Sequence, residues 1–411
     1  MKKRSPNFKI RKYFGLIIVL LVLCFLVYKN ASDFSLFSTY VPVEPIAVHN
    51  NGKGFAGSAT CVECHLEIYN THIETAHYKS TAKANLKTVK GSFTPPKNSF
   101  SLNDSIEFKM ENRNGLLYQE AFLKSDNQRI SSSRFDITIG SGTKGQSYLK
   151  WKDSSLYQLQ VTYFTSNDSW VNSPGYPSDR LASDRPIFER CLECHMTYAK
   201  STKQFNKRNS YRKSQIVYGI DCERCHGPAL DHVNFHRENP LDTVAMHVVK
   251  HSDLTRQQNL DACALCHSGL RMRRSKDPFI FVTGDTLNKF STPDYTEKDL
   301  EELDVHGNQY GLLSASKCFK KSDAMNCTTC HNPHENQRGN RVSFNKKCQS
   351  CHGKGDGFHG VCTASEASKE ASNNNCIQCH MPIVLSKTMK IETSADTLNP
   401  VPVRTHFIGI Y

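Results

Sequence analysis

At 411 residues the chain is long enough for about two to three domains of ordinary size. Hydrophobic residues at 38% and charged residues at 22% exclude both a fully disordered chain and a polytopic membrane protein, and 22 Gly with 16 Pro are too few for a low-complexity one. The formal charge of +13 raises nucleic acid or an anionic membrane as partners, but the 17 cysteines are the stronger signal.

Six cations (Lys2, Lys3, Arg4, Lys9, Arg11 and Lys12) precede an unbroken apolar run from Tyr13 to Tyr28. Positive residues stay on the cytoplasmic side of a bacterial membrane, so the rest of the chain is expected to be exported. No small-x-small cleavage site succeeds the run, which continues Val27-Tyr28-Lys29-Asn30-Ala31-Ser32. Residues 1–32 therefore read as an N-terminal transmembrane anchor, with a removed signal peptide as the alternative. A lipid-modified Cys24 is disfavoured, because Leu23 occupies the position where a small residue is expected.

The segment 50–95 carries the first copy of a pentapeptide, Cys61-Val62-Glu63-Cys64-His65. After a gap, the region 177–411 carries six more, at Cys191/Cys194/His195, Cys222/Cys225/His226, Cys263/Cys266/His267, Cys327/Cys330/His331, Cys348/Cys351/His352 and Cys376/Cys379/His380. Composition alone predicts about 0.03 chance occurrences of Cys-x-x-Cys-His in this chain, whereas it occurs seven times. On one helical turn, positions i, i+3 and i+4 share a face. Two thiols can then bond the two vinyl groups of a haem while the adjacent imidazole turns onto its iron. Zinc would need four ligands and would leave the repeated His unexplained. A thioredoxin-like site occurs once per domain in a βαβ setting, and disulfides within such short loops are uncommon.

Seven covalently attached c-type haems also account for the charge. Setting aside the six N-terminal cations lowers +13 to +7. Each ferric haem with ionised propionates brings about −1, so the oxidised holoprotein is near neutral and nucleic acid is not needed as a partner. Of the 18 His, eleven are not part of a motif: His49, His72, His77, His232, His236, His247, His251, His306, His334, His359 and His406. They suffice to give each iron a second imidazole, the ligation that suits electron transfer. Met196 and Met381 directly follow motif histidines and so face away from their own iron; they read as packing residues.

The attachment sites begin 130 residues apart at the first gap and 21 to 64 apart afterwards. Within that first gap, Phe135, Ile137 and Ile139 alternate with polar residues, as do Tyr157, Leu159, Val161 and Tyr163, while Asn114-Gly115 and Gly140-Ser141-Gly142 punctuate like turns. This predicts a β-rich insertion at about 96–176; no helical pattern comes after Gly140 to Gly145, which argues against a phosphate loop. Elsewhere the expected fold is mostly α, short helices and extensive loops around stacked haems, with sparse regular structure. Cys318 and Cys362 lie outside the motifs, and each reads either as half of a disulfide or as an isolated packed thiol.

Gly57-Ser58-Ala59-Thr60-Cys61 through His65, then Thr75-Ala76-His77, resemble the cytochrome c-554 type of multihaem cytochrome. So do Gly219 to Pro228 with His232, Cys263 to Gly269, and Cys327 to His334. The resemblance covers roughly residues 54 to 407. It implies that His77, His232, His306, His334 and His406 act as distal ligands; His359 is a further candidate from its Gly-rich setting, and His72 or His49 could complete the set. Seven motifs depart from the four of the prototype. The absence of Cys-x-x-Cys-Lys departs from the ammonia-forming nitrite reductases, and the octahaem hydroxylamine oxidoreductases have one motif more. The reading is a membrane-anchored electron carrier of the bacterial inner membrane, its haem domain in the periplasm, working with redox partner proteins. The alternatives are a multihaem reductase or oxidase of small nitrogen compounds with one open iron, and a haem-stabilised docking subunit.

Overall fold

A computed structural model describes residues 15, 17–25, 41–182, 184–202, 208–269, 273–296, 298–353, 364–365, 369–370, 375–394 and 397–411. It corrects the expected fold class: the chain is 30% helix and 26% strand, organised in several sheets, and is not mostly α. The expected N-terminal transmembrane helix is corrected as well. Among the described residues no helix is long and apolar enough to cross a membrane. The helical stretch 17–25 rises only about 14 Å against a hydrocarbon layer of about 30 Å.

All named strand pairings are antiparallel. Strands β1 (Ala47–Val48) and β2 (Gly54–Phe55) form a short ribbon, and β3 (Thr81–Lys83) joins the main sheet by pairing with β8 (Ile137–Ile139). Between them in sequence, β4 (Ser99–Ser101), β5 (Ile106–Arg113), β6 (Leu116–Leu123) and β7 (Arg129–Arg134) form a four-stranded meander. The main sheet continues through β9 (Gly145–Lys152), β10 (Ser155–Gln158), β11 (Val161–Phe164), β12 (Ser169–Asn172) and β13 (Arg185–Pro186). A second ribbon pairs β14 (Tyr198–Ser201) with β15 (Tyr211–Val217), a third pairs β16 (Arg273–Arg274) with β17 (Ser291–Thr292), and the C-terminal hairpin β18 (Ile383–Ser394) and β19 (Thr397–Arg404) extends the main sheet beside β12.

Local chemistry explains these elements. Asn114 and Gly115 both take positive φ, 52° and 84°, which is the requirement of the two-residue turn that joins β5 to β6. On β5, Phe108 and Met110 point inward while Lys109 and Glu111 flank them. They meet Leu117 and Ala121 of β6 and an aromatic cluster of Phe135, Tyr148 and Trp170. Phe135 and Tyr148 stack at 4.4 Å. The strand-rich region thus has an apolar core of its own, and the β content exceeds expectation because strands also form at 198–217 and 383–404.

The helices are short and carry the motifs. In chain order they are α1 (Ser58–Cys61), α2 (Leu66–His72), α3 (Glu189–Glu193), α4 (Cys222–His226), α5 (Leu230–Glu238), α6 (Arg256–His267), α7 (Gln309–Ala315), α8 (Lys317–Lys321), α9 (Cys327–Cys330), α10 (Arg341–His352) and α11 (Cys376–His380). A hydrogen-bonded knot ties the first three motif segments together. Ser80 and Thr81 each donate to His195 O at 2.8 Å, Gly219 N donates to Thr81 Oγ1 at 2.8 Å, and Ile220 N donates to His77 O at 2.9 Å.

Gly219 sits at the centre of this knot with φ 66°, and a Cβ there would stand 2.2 Å from Tyr78 O. Left-handed backbone costs a residue with a Cβ about 1–2 kcal/mol, and the clash with a backbone atom adds to it. Gly219→Ala is therefore expected to lower the stability of the haem-loaded protein by about 2 kcal/mol or more. Gly115→Ala, whose Cβ meets nothing within 4 Å, is expected to cost no more than about 1–2 kcal/mol. Thermal unfolding of the two variants, followed by circular dichroism, checks the order.

Candidate haem attachment sites and axial ligands

Each motif is wound as a single helical turn. His65 N donates to Cys61 O at 2.9 Å and His331 N to Cys327 O at 3.0 Å, the i to i+4 closure that puts the first cysteine and the histidine on one face. Caps fix where the turns begin. Asp221 accepts from Cys222 N at 2.8 Å, and Asn326 accepts from Thr328 N at 2.9 Å. The Thr255–Gln258 capping box starts α6, whose last turn holds the fourth motif. All fourteen motif cysteines are free thiols, so no motif is a disulfide loop. Among the described residues no group of three or more His, Cys, Asp or Glu side chains converges as a zinc site would require.

The imidazoles are held with one nitrogen committed. Nδ1 of His226 faces Val249 O at 2.8 Å, Nδ1 of His380 faces Gly409 O at 2.8 Å, and Nδ1 of His267 faces Gln309 Oε1 at 3.1 Å. Of the histidines outside the motifs, His232 does the same with Met246 O at 2.7 Å. A carbonyl oxygen can only accept, so each Nδ1 carries the proton and each Nε2 keeps its lone pair for a metal. Burial keeps these rings neutral: it pushes His77, His195 and His406 down to about 4. Burial is also the main cause of the downward shifts of His226, His232, His267, His306, His331 and His334.

Three motif histidines face a second imidazole across a gap of iron size. Ring centres are 6.1 Å apart for His226 and His334, 6.1 Å for His267 and His77, and 6.2 Å for His331 and His406. Two imidazoles bonded to one metal ion through nitrogens at about 2 Å hold their ring centres roughly 6 Å apart. His306 neighbours His195, and His232 neighbours His65. His306 and His406 each keep a buried Nδ1 without a hydrogen-bond partner. The residues present thus fit a haem held by two thiols and two imidazoles.

The fold delivers these partners from distant segments. His77 follows α2, His334 follows α9 by a turn in which Asn332 Oδ1 accepts His334 N at 3.1 Å, and β19 leads His406 to His331. Other candidates are placed differently. His49 has both nitrogens engaged, Nε2 with Phe279 O at 2.6 Å and Nδ1 with Asn51 N at 3.2 Å. His72 is buried 6.3 Å from His334, but its Nε2 faces Ile220 O at 3.1 Å, leaving only Nδ1. His352 ends α10. His359 lies outside the described residues, as does Cys362, so its pairing with the free Cys318 falls there too. Met196 is fully buried in the cluster of Leu192 and Tyr198.

Sequence reasoning passed over two histidines and the residues between the cysteines. His251 stands 5.5 Å from His226 with Nε2 on Cys225 O at 3.2 Å, propping the third motif. His236 lies one turn beyond His232 on α5, with Nδ1 facing Asp242 O at 3.0 Å and a buried Nε2 without a partner; the i, i+4 spacing was its signal. Within the motifs, buried Glu193 pairs with Arg274, and buried Glu223 accepts from Ala56 N at 2.9 Å, Gly57 N at 2.8 Å and Ala229 N at 2.8 Å. Burial pushes the Glu223 carboxyl up against the downward pull of those three amides.

The thiols of different motifs also meet. Cys61 hydrogen-bonds Cys222, Cys194 bonds Cys266, Cys263 bonds Cys327, and Cys348 bonds Cys376.

Residues 147–227, which include the second and third motifs, match the family model described as cytochrome c554 and c-prime. Over 190 residues the chain is 26% identical to the multiheme cytochrome MtrA of Shewanella baltica, covering 40% of this chain and 52% of that protein. The chain is a multihaem c-type cytochrome. It spans about half the length of the curated relative it matches. Among solved structures it is similar to the undecaheme cytochrome from the S-layer of Carboxydothermus ferrireducens, with a TM-score of 0.42 and 17% identity over 84% of this chain and 52% of that one. As in any c-type cytochrome, haem is bound covalently through motif cysteines.

Glu223 joins the first and third attachment segments of this cytochrome. Glu223→Ala leaves three buried amide donors unsatisfied and is expected to cost about 2–3 kcal/mol or more, with reduced haem loading in the mature protein. Glu223→Gln, which keeps the acceptor oxygen, is expected to lose less. Intact mass and thermal unfolding check both.

Proposed function

We propose that the chain is an exported, heptahaem electron carrier in which all seven motifs hold haem c. Cys61/Cys64, Cys191/Cys194, Cys222/Cys225, Cys263/Cys266, Cys327/Cys330, Cys348/Cys351 and Cys376/Cys379 are the thioether donors in this reading. His65, His195, His226, His267, His331, His352 and His380 are the proximal ligands. Haem supplies a one-electron couple at each site. The protein's part is to hold the ligands rigid, exclude water and set each potential through burial and nearby charge.

The observation that carries this reading is the spacing of 6.1 to 6.2 Å between three motif histidines and a second imidazole. Two imidazoles per iron leave no position for a substrate and favour transfer of electrons over chemistry. We assign His334 to His226, His77 to His267 and His406 to His331, and on proximity His306 to His195 and His232 to His65. Export is supported by the six cations that precede the N-terminal apolar run, which place the haem region in the periplasm. Redox proteins of that compartment are the expected partners.

Intact mass and electron paramagnetic resonance of the purified holoprotein test this reading. Seven added haems, predominantly low-spin, are expected. His334→Ala should keep all seven haems while converting one low-spin signal to a high-spin one that binds carbon monoxide. His49→Ala, at a histidine with both nitrogens engaged, should leave the spectrum unchanged. Fewer haems than motifs, or no new high-spin signal in His334→Ala, would overturn the count or the assignment.

A further inference from the structure

We infer that the attachment sites form a branched array with the fourth motif as a three-way junction, so that the protein distributes electrons among three ends instead of carrying them along one line. This rests on the reading that each motif holds a haem. A sulfur that becomes a thioether keeps its place on the backbone and is one bond from the porphyrin rim, so sulfurs that meet mark rims that meet.

The contacts trace the branches. Cys266 bonds Cys194 of the second motif, Cys263 bonds Cys327 of the fifth, and both neighbour Cys225 of the third. From the third motif Cys222 leads to Cys61 of the first. From the fifth, Cys330 neighbours Cys351 of the sixth, and Cys348 leads to Cys376 of the seventh. The arms therefore hold one, two and three sites. Arg224, donating to Glu193 O at 3.0 Å, braces the junction, and Cys266 Sγ approaches the same oxygen at 3.8 Å.

Two independent observations agree. His267 lies within electrostatic range of His195 and His306 of the second site and of His331 and His406 of the fifth, besides its own partner His77. Solvent exposure tracks the branching: the first, second, sixth and seventh motifs each have an exposed cysteine (Cys64, Cys191, Cys351, Cys379), while those of the third, fourth and fifth are all partly covered. Each arm thus ends at the surface, and the junction is inside.

The test removes the junction from the full-length holoprotein. In Cys263→Ala/Cys266→Ala, mass should fall by one haem. A photogenerated flavin semiquinone then gives up one electron and reduces one ferric haem to ferrous. In the unaltered protein, and in Cys376→Ala/Cys379→Ala, the electron should redistribute at a rate independent of protein concentration. Without the junction, the last phase of redistribution should become proportional to protein concentration, because the arms can exchange only between molecules. Redistribution that stays independent of concentration, or an identical change in the seventh-motif variant, would overturn the branching. Should the junction variant fail to mature, His77→Met keeps seven haems and raises the potential of the fourth. Its first electron should then relieve magnetic coupling in three other haem signals; a change in only one or two would refute the junction. Absence of haem from the motifs by mass would defeat the underlying reading instead.

Discussion

The interaction on which the structure depends is the commitment of one imidazole nitrogen to a backbone or amide oxygen, with the rest of the ring buried. His226, His267, His380 and His232 all donate through Nδ1 to an oxygen of a different segment. The bond fixes the tautomer and the ring direction, and burial keeps the ring uncharged. A protonated or swivelling imidazole could not serve a metal, so these oxygens are as much part of each site as the motif is. They also explain why irregular segments such as 239–249 and 405–411 are needed: they carry the acceptors Met246 O, Val249 O and Gly409 O.

The same bonds make the fold interdependent. The third attachment site takes its turn from α4, its orienting oxygen from residue 249, its facing imidazole from residue 334 and its staple to the first site from Glu223. The fifth takes its facing imidazole from the end of β19, and that strand belongs to a hairpin which itself extends the main sheet. No attachment site is a local unit. The sheets act as the frame that presents loop residues to one another, and the apolar clusters of the frame are separate from the histidine-rich interior.

The attachment chemistry was legible in the sequence because a covalent signature is compressed into five consecutive residues. His77, His232, His306, His334 and His406 were legible by resemblance, and the structure sets each of them beside a motif histidine. What the sequence hid was relation across distance: the Nδ1 acceptors, the sulfur contacts between motifs and the engagement of both His49 nitrogens depend on tertiary proximity and leave no periodic trace. The excess of strand was hidden for a different reason. The pairing of β18 with β19 passes through register shifts, and prolines at 400 and 402 blur its alternation, so a period-2 pattern was weak there. The motif helices, by contrast, span only four or five residues where they stand alone, which lowers the helix content that seven motifs suggested.

Charge inside the array reflects the same crowding. Glu193 and Arg224 occupy the variable positions of two neighbouring motifs, and Arg274 completes a buried pair with Glu193. In a low-dielectric interior a buried carboxylate and guanidinium act over longer distances than they would at the surface, so a pair placed between attachment sites biases the potentials of those sites relative to outlying ones. Positions that attachment itself leaves free are thereby used to grade the array. A covalent cofactor fixes only the two thiols and the histidine, and the remaining two residues of each pentapeptide are open to electrostatic tuning at the point closest to the iron.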